Sequence, residues 1–205
     1  MNLSDGTTSP LQSLRDGIAA SIATKQLLLA DEQLLTSIVA VGTAMTKAFE
    51  RGNRVIFAGN GGSAADAQHL AAEFVSRFEF DRPGLPSLSL ATDTSMMTAI
   101  GNDYGYEKLF RRQLEAQAKP GDIFVGITTS GRSRNILAAF DACKGLGVMS
   151  VALCGQGGDL EDKVDLALRV PSSHTPRIQE CHILIGHALC AQVELALFGH
   201  LAPVT

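Results

Sequence analysis

Apolar residues recur at helical spacing in the first quarter of the chain: Leu11, Leu14, Ile18 and Ile22, then Leu34, Ile38, Val41, Met45 and Phe49. Intervals of three and four place each set on one helix face. A break at Ala30-Asp31 therefore predicts two amphipathic helices over residues 11–51. The pattern then changes. Arg54-Val55-Ile56-Phe57-Ala58 is a short β-branched run that predicts a strand, followed by a helix from near Ser63 that stops before Pro83. Ser87 to Ala91 reads as a second strand and Thr94 to Gly101 as a short helix. Ile123 to Ile127 is a third strand, followed by a helix from about Ser133 to Leu146. Val148 to Leu153 and Leu166 to Val170 complete the strands, and a long helix follows Pro176. Strand, turn and helix in repetition predict an α/β domain whose parallel sheet is covered on both faces. Ligands of such sheets bind beyond the carboxyl ends of the strands.

Composition narrows this picture. With 205 residues and 45% apolar content the chain is read as one domain. Residues 1–10 form a polar leader, 11–51 the N-terminal helices and 53–200 the α/β body. Two apolar helices outside a sheet are expected to pack on a partner subunit. The net charge of −4, with basic residues scattered, leaves no electrostatic footprint for nucleic acid or an anionic membrane. Apolar stretches are interrupted short of the roughly 20 residues of a membrane span. The N-terminus lacks the basic-then-apolar order of an export signal, so a cytoplasmic location is expected. Cys143, Cys154, Cys181 and Cys190 sit singly, without the spacing of a zinc site, and are expected to be reduced core residues.

Two loops are candidates for anion binding. Thr128-Thr129-Ser130-Gly131-Arg132-Ser133 follows the third strand and feeds a helix, so hydroxyls and backbone N–H groups converge at a helix N-terminus. A capping turn would need one hydroxyl; this loop offers four. Arg132 or Arg134 can add charge. Gly59-Asn60-Gly61-Gly62-Ser63 also joins strand to helix, and Gly59-x-Gly61-x-x-Ala64 meets the relaxed dinucleotide fingerprint. Glu79 and Asp81, however, fall in a loop near Pro83 rather than at the end of a second strand. The preferred reading is a backbone that approaches a small sugar, with Ser63 as the helix cap and Asp66 in a partial capping box.

Chemistry resides in a few ionisable groups. His69 and Glu73, four apart, share a helix face: they form either an exposed intrahelical pair or one side of a site. Glu73 stands among Ala71, Ala72, Phe74 and Val75, surroundings that favour the protonated carboxyl. His187 lies in an apolar helix, either as a core residue or as a partner of that pair. Gln179 precedes it by eight residues, about 12 Å along a helix. Thr175 as N-cap with Pro176 at N1 would put Gln179 in the first turns. His182 is a substitute or supporting histidine. Imidazole, carboxylate and amide donors suit a catalytic zinc.

These residues carry a resemblance. Gly59 to Ser63, Asp66-Ala67-Gln68-His69 with Glu73 and Arg77, Gly101-Asn102-Asp103-Tyr104-Gly105, Thr128 to Gly131 with Ser133, and Arg177-Ile178-Gln179-Glu180 through His187 resemble, in order and spacing, the phosphoheptose isomerases of the sugar isomerase (SIS) domain family. The resemblance covers residues 10–200 and implies a three-layer αβα sandwich on a five-stranded parallel sheet. It also implies a homotetramer with active sites between subunits. The implied reaction converts sedoheptulose 7-phosphate to D-glycero-D-manno-heptose 7-phosphate by enediol proton transfer. Implied roles are Glu73 and His187 as the acid–base pair and one Zn2+ per subunit at His69, Glu73, Gln179 and His187. Substrate contacts fall to Asn60, Gly61, Gly62, Ser63, Glu73, Arg77, Asn102, Asp103, Thr128, Thr129, Ser130, Ser133 and Gln179. No nucleotide cofactor is implied. Arg132 stands where many relatives carry Asn, and Pro176 where some carry an acidic residue. The alternative is a non-catalytic SIS-domain protein that binds a replication initiator or regulates through sugar-phosphate binding.

Overall fold

The computed structural model describes residues 9–203; the leader expected over 1–10 falls outside them up to residue 8. Ser9 caps α1 (Pro10–Ala30), its hydroxyl accepting from the Gln12 N–H. Asp31 then caps α2 (Glu32–Glu50) by accepting from the Leu34 N–H. The break expected at Ala30-Asp31 is thus a capped corner. The body follows as β1 (Val55–Gly59), α3 (Gly62–Val75), β2 (Ser87–Ser89), α4 (Thr94–Tyr104), α5 (Leu109–Gln117), β3 (Ile123–Thr128), α6 (Arg134–Leu146), β4 (Met149–Cys154), β5 (Leu166–Arg169) and α7 (Thr175–Phe198). Three-residue 3-10 turns precede α5 and follow α7.

Several boundaries differ from the expectation. α3 stops before Pro83 as expected, already at Val75, because the segment after it folds back: the Leu85 N–H bonds the Phe74 carbonyl. α5 was not expected; its apolar set Leu109, Phe110 and Leu114 is interleaved with Arg111 and Arg112.

The sheet is five-stranded, wholly parallel and ordered β2-β1-β3-β4-β5. Alternation along the strands builds two cores. Val55, Phe57, Val125, Ile127, Val151 and Leu153 face α2, α3 and α7. Ile56, Ala58, Phe124, Ala152 and Cys154 face the side of α4, α5 and α6. By length and composition the helix Thr175–Leu201 would pass for a membrane span, contrary to the expected interruption. Its Ile178, Ile185, Leu189 and Val193 are nevertheless spent in the first core. All four cysteines are buried free thiols, and burial pushes Cys143 and Cys190 up to about 12 and Cys154 to about 11.

The order places the topological switch between β1 and β3, where the chain leaves on opposite sides. Gly59 pairs with Ile127, so the loops after these strands start side by side. They are the two loops singled out by composition.

Candidate active site

The first loop shows why glycines are required. Gly61 adopts φ 56°, open to glycine at little cost. A Cβ on Gly59 would lie 2.3 Å from the Ser63 carbonyl oxygen, so β1 and the first turn of α3 could not approach as they do. Gly61 holds the cap position without a side-chain bond, and Ser63 is buried inside the first turn, so the expected Ser63 cap is not formed. The capping box fails with it. Asp66 is half-buried with one carboxylate oxygen lacking a partner; burial raises its pKa, and His69 opposes the shift.

The second loop does not use its hydroxyls to cap the helix that follows. Ser133 occupies the N-cap position of α6 yet makes no side-chain cap bond. Instead the Thr128 hydroxyl donates to Ser133 Oγ at 3.0 Å, and Ser130 Oγ accepts from the Arg132 N–H. Gly131, with φ 65°, packs against a third loop so closely that a Cβ would sit 2.3 Å from the Gly157 carbonyl oxygen. The Gly155 N–H bonds the Thr129 carbonyl. Arg169 donates to the carbonyls of Gly155, Gly157 and Gly158 and holds that backing loop in place.

A reciprocal amide pair ties the first two loops. Asn60 Nδ2 donates to Asn135 Oδ1 at 2.9 Å, Asn135 Nδ2 donates back at 2.8 Å, and the Tyr106 hydroxyl donates to Asn60 Oδ1. Asn60, Tyr106, Glu107, Ser133, Arg134 and Asn135 line a cavity of about 450 Å³. Neither Asn135 nor Tyr106 was foreseen; no spacing in the sequence links them to Asn60. A larger cavity of about 640 Å³ lies by the start of β4, around Lys144, Met149 and Lys163, and touches none of these loops.

The ionisable cluster stands farther along α3. His69 Nε2 lies 2.9 Å from His187 Nε2 and 3.2 Å from Glu73 Oε1. Two imidazole nitrogens at that separation need a proton on one of them or a cation between their lone pairs. One ligand atom from each of His69, Glu73 and His187 lies within 4.8 Å of the others, and two nitrogens with one carboxylate oxygen match a zinc donor set. The Phe78 ring closes one side, its centroid 5.3 Å from that of His187. His187 is therefore not a core residue, and His69 and Glu73 are not merely an intrahelical pair. Glu73 retains 23% side-chain exposure and His69 49%.

Gln179 is placed differently. α7 begins at Thr175 with His174 at the cap, one residue earlier than expected, and Pro176 in its first turn. The Gln179 amide nitrogen would be 2.5 Å from a Cβ on Gly62, so it faces the glycine loop. Gly62 precedes His69 by seven residues, about 10 Å of helix. Gln179 thus stands by the glycine loop while His187 stands by His69. His182 is fully buried, its ring nitrogens unpartnered apart from a loose approach to the Cys154 backbone, and burial lowers it to about 4. It stays neutral and outside the cluster. Arg77, Asn102 and Asp103 are exposed, and among the described residues no hydrogen bond joins them to either loop or to the cluster. Asn102 Nδ2 bonds Asp103 Oδ1 instead.

A model described as SIS domain matches residues 8–155. The phosphoheptose isomerase of Aneurinibacillus thermoaerophilus is 56% identical over 186 residues, 90% of this chain and 94% of that one. Phosphoheptose isomerase 2 of Campylobacter jejuni is 55% identical over 91% of this chain and 93% of its own length. The solved structure of a phosphoheptose isomerase from Francisella tularensis superposes with a TM-score of 0.86 at 37% identity, covering 91% of this chain and 98% of that one.

Proposed function

The chain belongs to the SIS-domain family, and within it to the phosphoheptose isomerases; from that premise we propose that it isomerises sedoheptulose 7-phosphate to D-glycero-D-manno-heptose 7-phosphate. The observation that carries this reading is the convergence of His69, Glu73 and His187 on one point, in a fold whose switch-point loops gather hydroxyls that cap no helix. Thr128, Thr129, Ser130 and Ser133, at the N-terminus of α6, take the phosphate. Asn60, Gly61, Gly62, Ser63 and Gln179 line the sugar, with Arg77, Asn102 and Asp103 completing its contacts.

Glu73, the one carboxylate of the cluster, takes a proton from C1 of the ketose. The resulting cis-enediol receives a proton at C2, and the hydroxyl proton passes from O1 to O2, with His187 as the paired acid. Fixing the phosphate aligns C1 and C2 with these groups, which removes the entropy of orientation. His69, Glu73 and His187 would hold one zinc per subunit, while Gln179, the fourth donor that the resemblance implies, faces the glycine loop instead. Bound there, zinc supplies polarisation of the substrate oxygens. No nucleotide cofactor is required.

Leu11, Leu14, Ile18 and Ile22 of α1 are each more than half exposed, which supports assembly into a homotetramer through the N-terminal helices. Buried free thiols suit a reducing cytoplasm. No observation favours the non-catalytic alternative. Incubation of the purified, zinc-loaded protein with sedoheptulose 7-phosphate tests the reading: the aldose 7-phosphate is expected, and its absence would refute the assignment.

A further inference from the structure

The last turn of α3, which carries Glu73, ends without a glycine cap or a basic residue of its own. Its orphan carbonyls are met by the Leu85 N–H, which bonds that of Phe74, and by one side chain. Arg82, in the loop between α3 and β2, sends Nη2 to the Glu73 carbonyl at 2.8 Å. Its Nη1 reaches the Phe74 carbonyl at 2.6 Å and, less closely, those of Pro83 and Ser76. Its Nε donates to Glu194 Oε1 at 2.9 Å, and both side chains are 1% exposed. Glu194 in turn accepts from the backbone N–H groups of Phe78 and Glu79 at 2.9 and 2.7 Å. It lies on α7 seven residues, two turns, beyond His187. Phe78, whose N–H it holds, is the ring packed on His187.

We infer that Arg82 and Glu194 form a positioning pair that sets the backbone of Glu73 and the ring of His187 against each other across α3 and α7. Every donor the pair uses ends on a backbone atom of the turn and loop flanking the cluster, or on the other member of the pair. A buried ion pair is weak ground for stability, since well-packed apolar side chains of similar volume commonly serve as well. They cannot supply a planar fork that spans two successive carbonyls, and neither can lysine. The inference rests on the reading of Glu73 and His187 as the proton-transfer pair.

The test compares the full-length Arg82→Met/Glu194→Met double variant and the Arg82→Lys variant with the wild type. Thermal unfolding, kcat, KM and amide hydrogen exchange over residues 72–79 are measured on each. The double variant is expected to fold, to lose about 100-fold in kcat as α3 and α7 lose their mutual register, and to keep KM within about threefold. Faster exchange is expected at Ser76, Phe78 and Glu79. Arg82→Lys, which keeps the charge, should lose kcat in the same direction, and it decides the matter if the double variant does not fold. Wild-type kcat in either folded variant, or a loss confined to KM, would overturn the inference. If the wild type itself fails to turn over sedoheptulose 7-phosphate, the functional reading falls. The positioning role is then judged by exchange alone: acceleration confined to 72–79 sustains it, and wild-type exchange overturns it.

Discussion

Replacing Gly131 with alanine tests whether the hydroxyl loop is shaped by its backing loop. The residue sits at φ 65°, where a Cβ costs about 1–2 kcal/mol. The added Cβ would also lie 2.3 Å from the Gly157 carbonyl oxygen and 3.1 Å from the Gly158 Cα, both backbone atoms that no rotamer change can move aside. Restoring an ordinary C···O separation of about 3.3 Å requires the two loops to part by about 1 Å. A displacement of that size at a group that orients substrate is worth about 100-fold, or about 2.7 kcal/mol of transition-state stabilisation. The Gly131→Ala enzyme should therefore lose about two decades in kcat/KM and bind inorganic phosphate, assayed as a competitive inhibitor, correspondingly less well. Gly145→Ala is the control: nothing lies within 4 Å of its Cβ and it sits inside α6. It should leave kinetics unchanged and stabilise the fold by about 0.5–1 kcal/mol. Folded Gly131→Ala enzyme with kcat/KM within about threefold of wild type would refute the placement of the phosphate at this loop.

Acidification should weaken the fold through His182. The unfolded chain takes up that proton below about 6.5, whereas burial holds the folded group to about 4, so stability is complete above 6.5 and drains as pH falls toward 4. At pH 5 the loss from this residue is about 2 kcal/mol, and chemical denaturation of His182→Met at pH 7 and pH 5 should show a shallower pH slope than wild type; an equal slope contradicts this. Ile18→Glu/Ile22→Glu, on the exposed face of α1, should reduce the sedimenting mass and abolish turnover while leaving helical circular dichroism intact; an unchanged mass would remove α1 from the interface.

The strands were legible because a parallel sheet buried on both faces leaves uninterrupted apolar runs: Val55 to Gly59 and Ile123 to Thr128 are buried at every position. The contact of His69 with Glu73 was legible because helical spacing is local. His187 lies 118 residues from His69, and only the packing of α7 on α3 brings them together. The resemblance supplied that link where spacing could not. Helix ends were poorly legible for a physical reason. Ser63 has the composition of a cap, but the cap position is set by the positive φ of Gly61, two residues earlier. Phe78 continues the spacing of α3, while Arg82 draws the loop back onto Phe74 instead. Contacts such as Asn60 with Asn135 and Arg82 with Glu194 join residues of no shared periodicity, 75 and 112 positions apart.

The account centres on Glu73 as the group that removes the C1 proton. Proton NMR of sedoheptulose 7-phosphate in D2O reads that step directly, with wild type and Glu73→Gln enzyme of equal assembly state. Solvent deuterium should enter the carbon-bound positions at C1 and C2 with wild type and remain at the uncatalysed level with Glu73→Gln. Wild-type rates of incorporation in the Gln variant would contradict it.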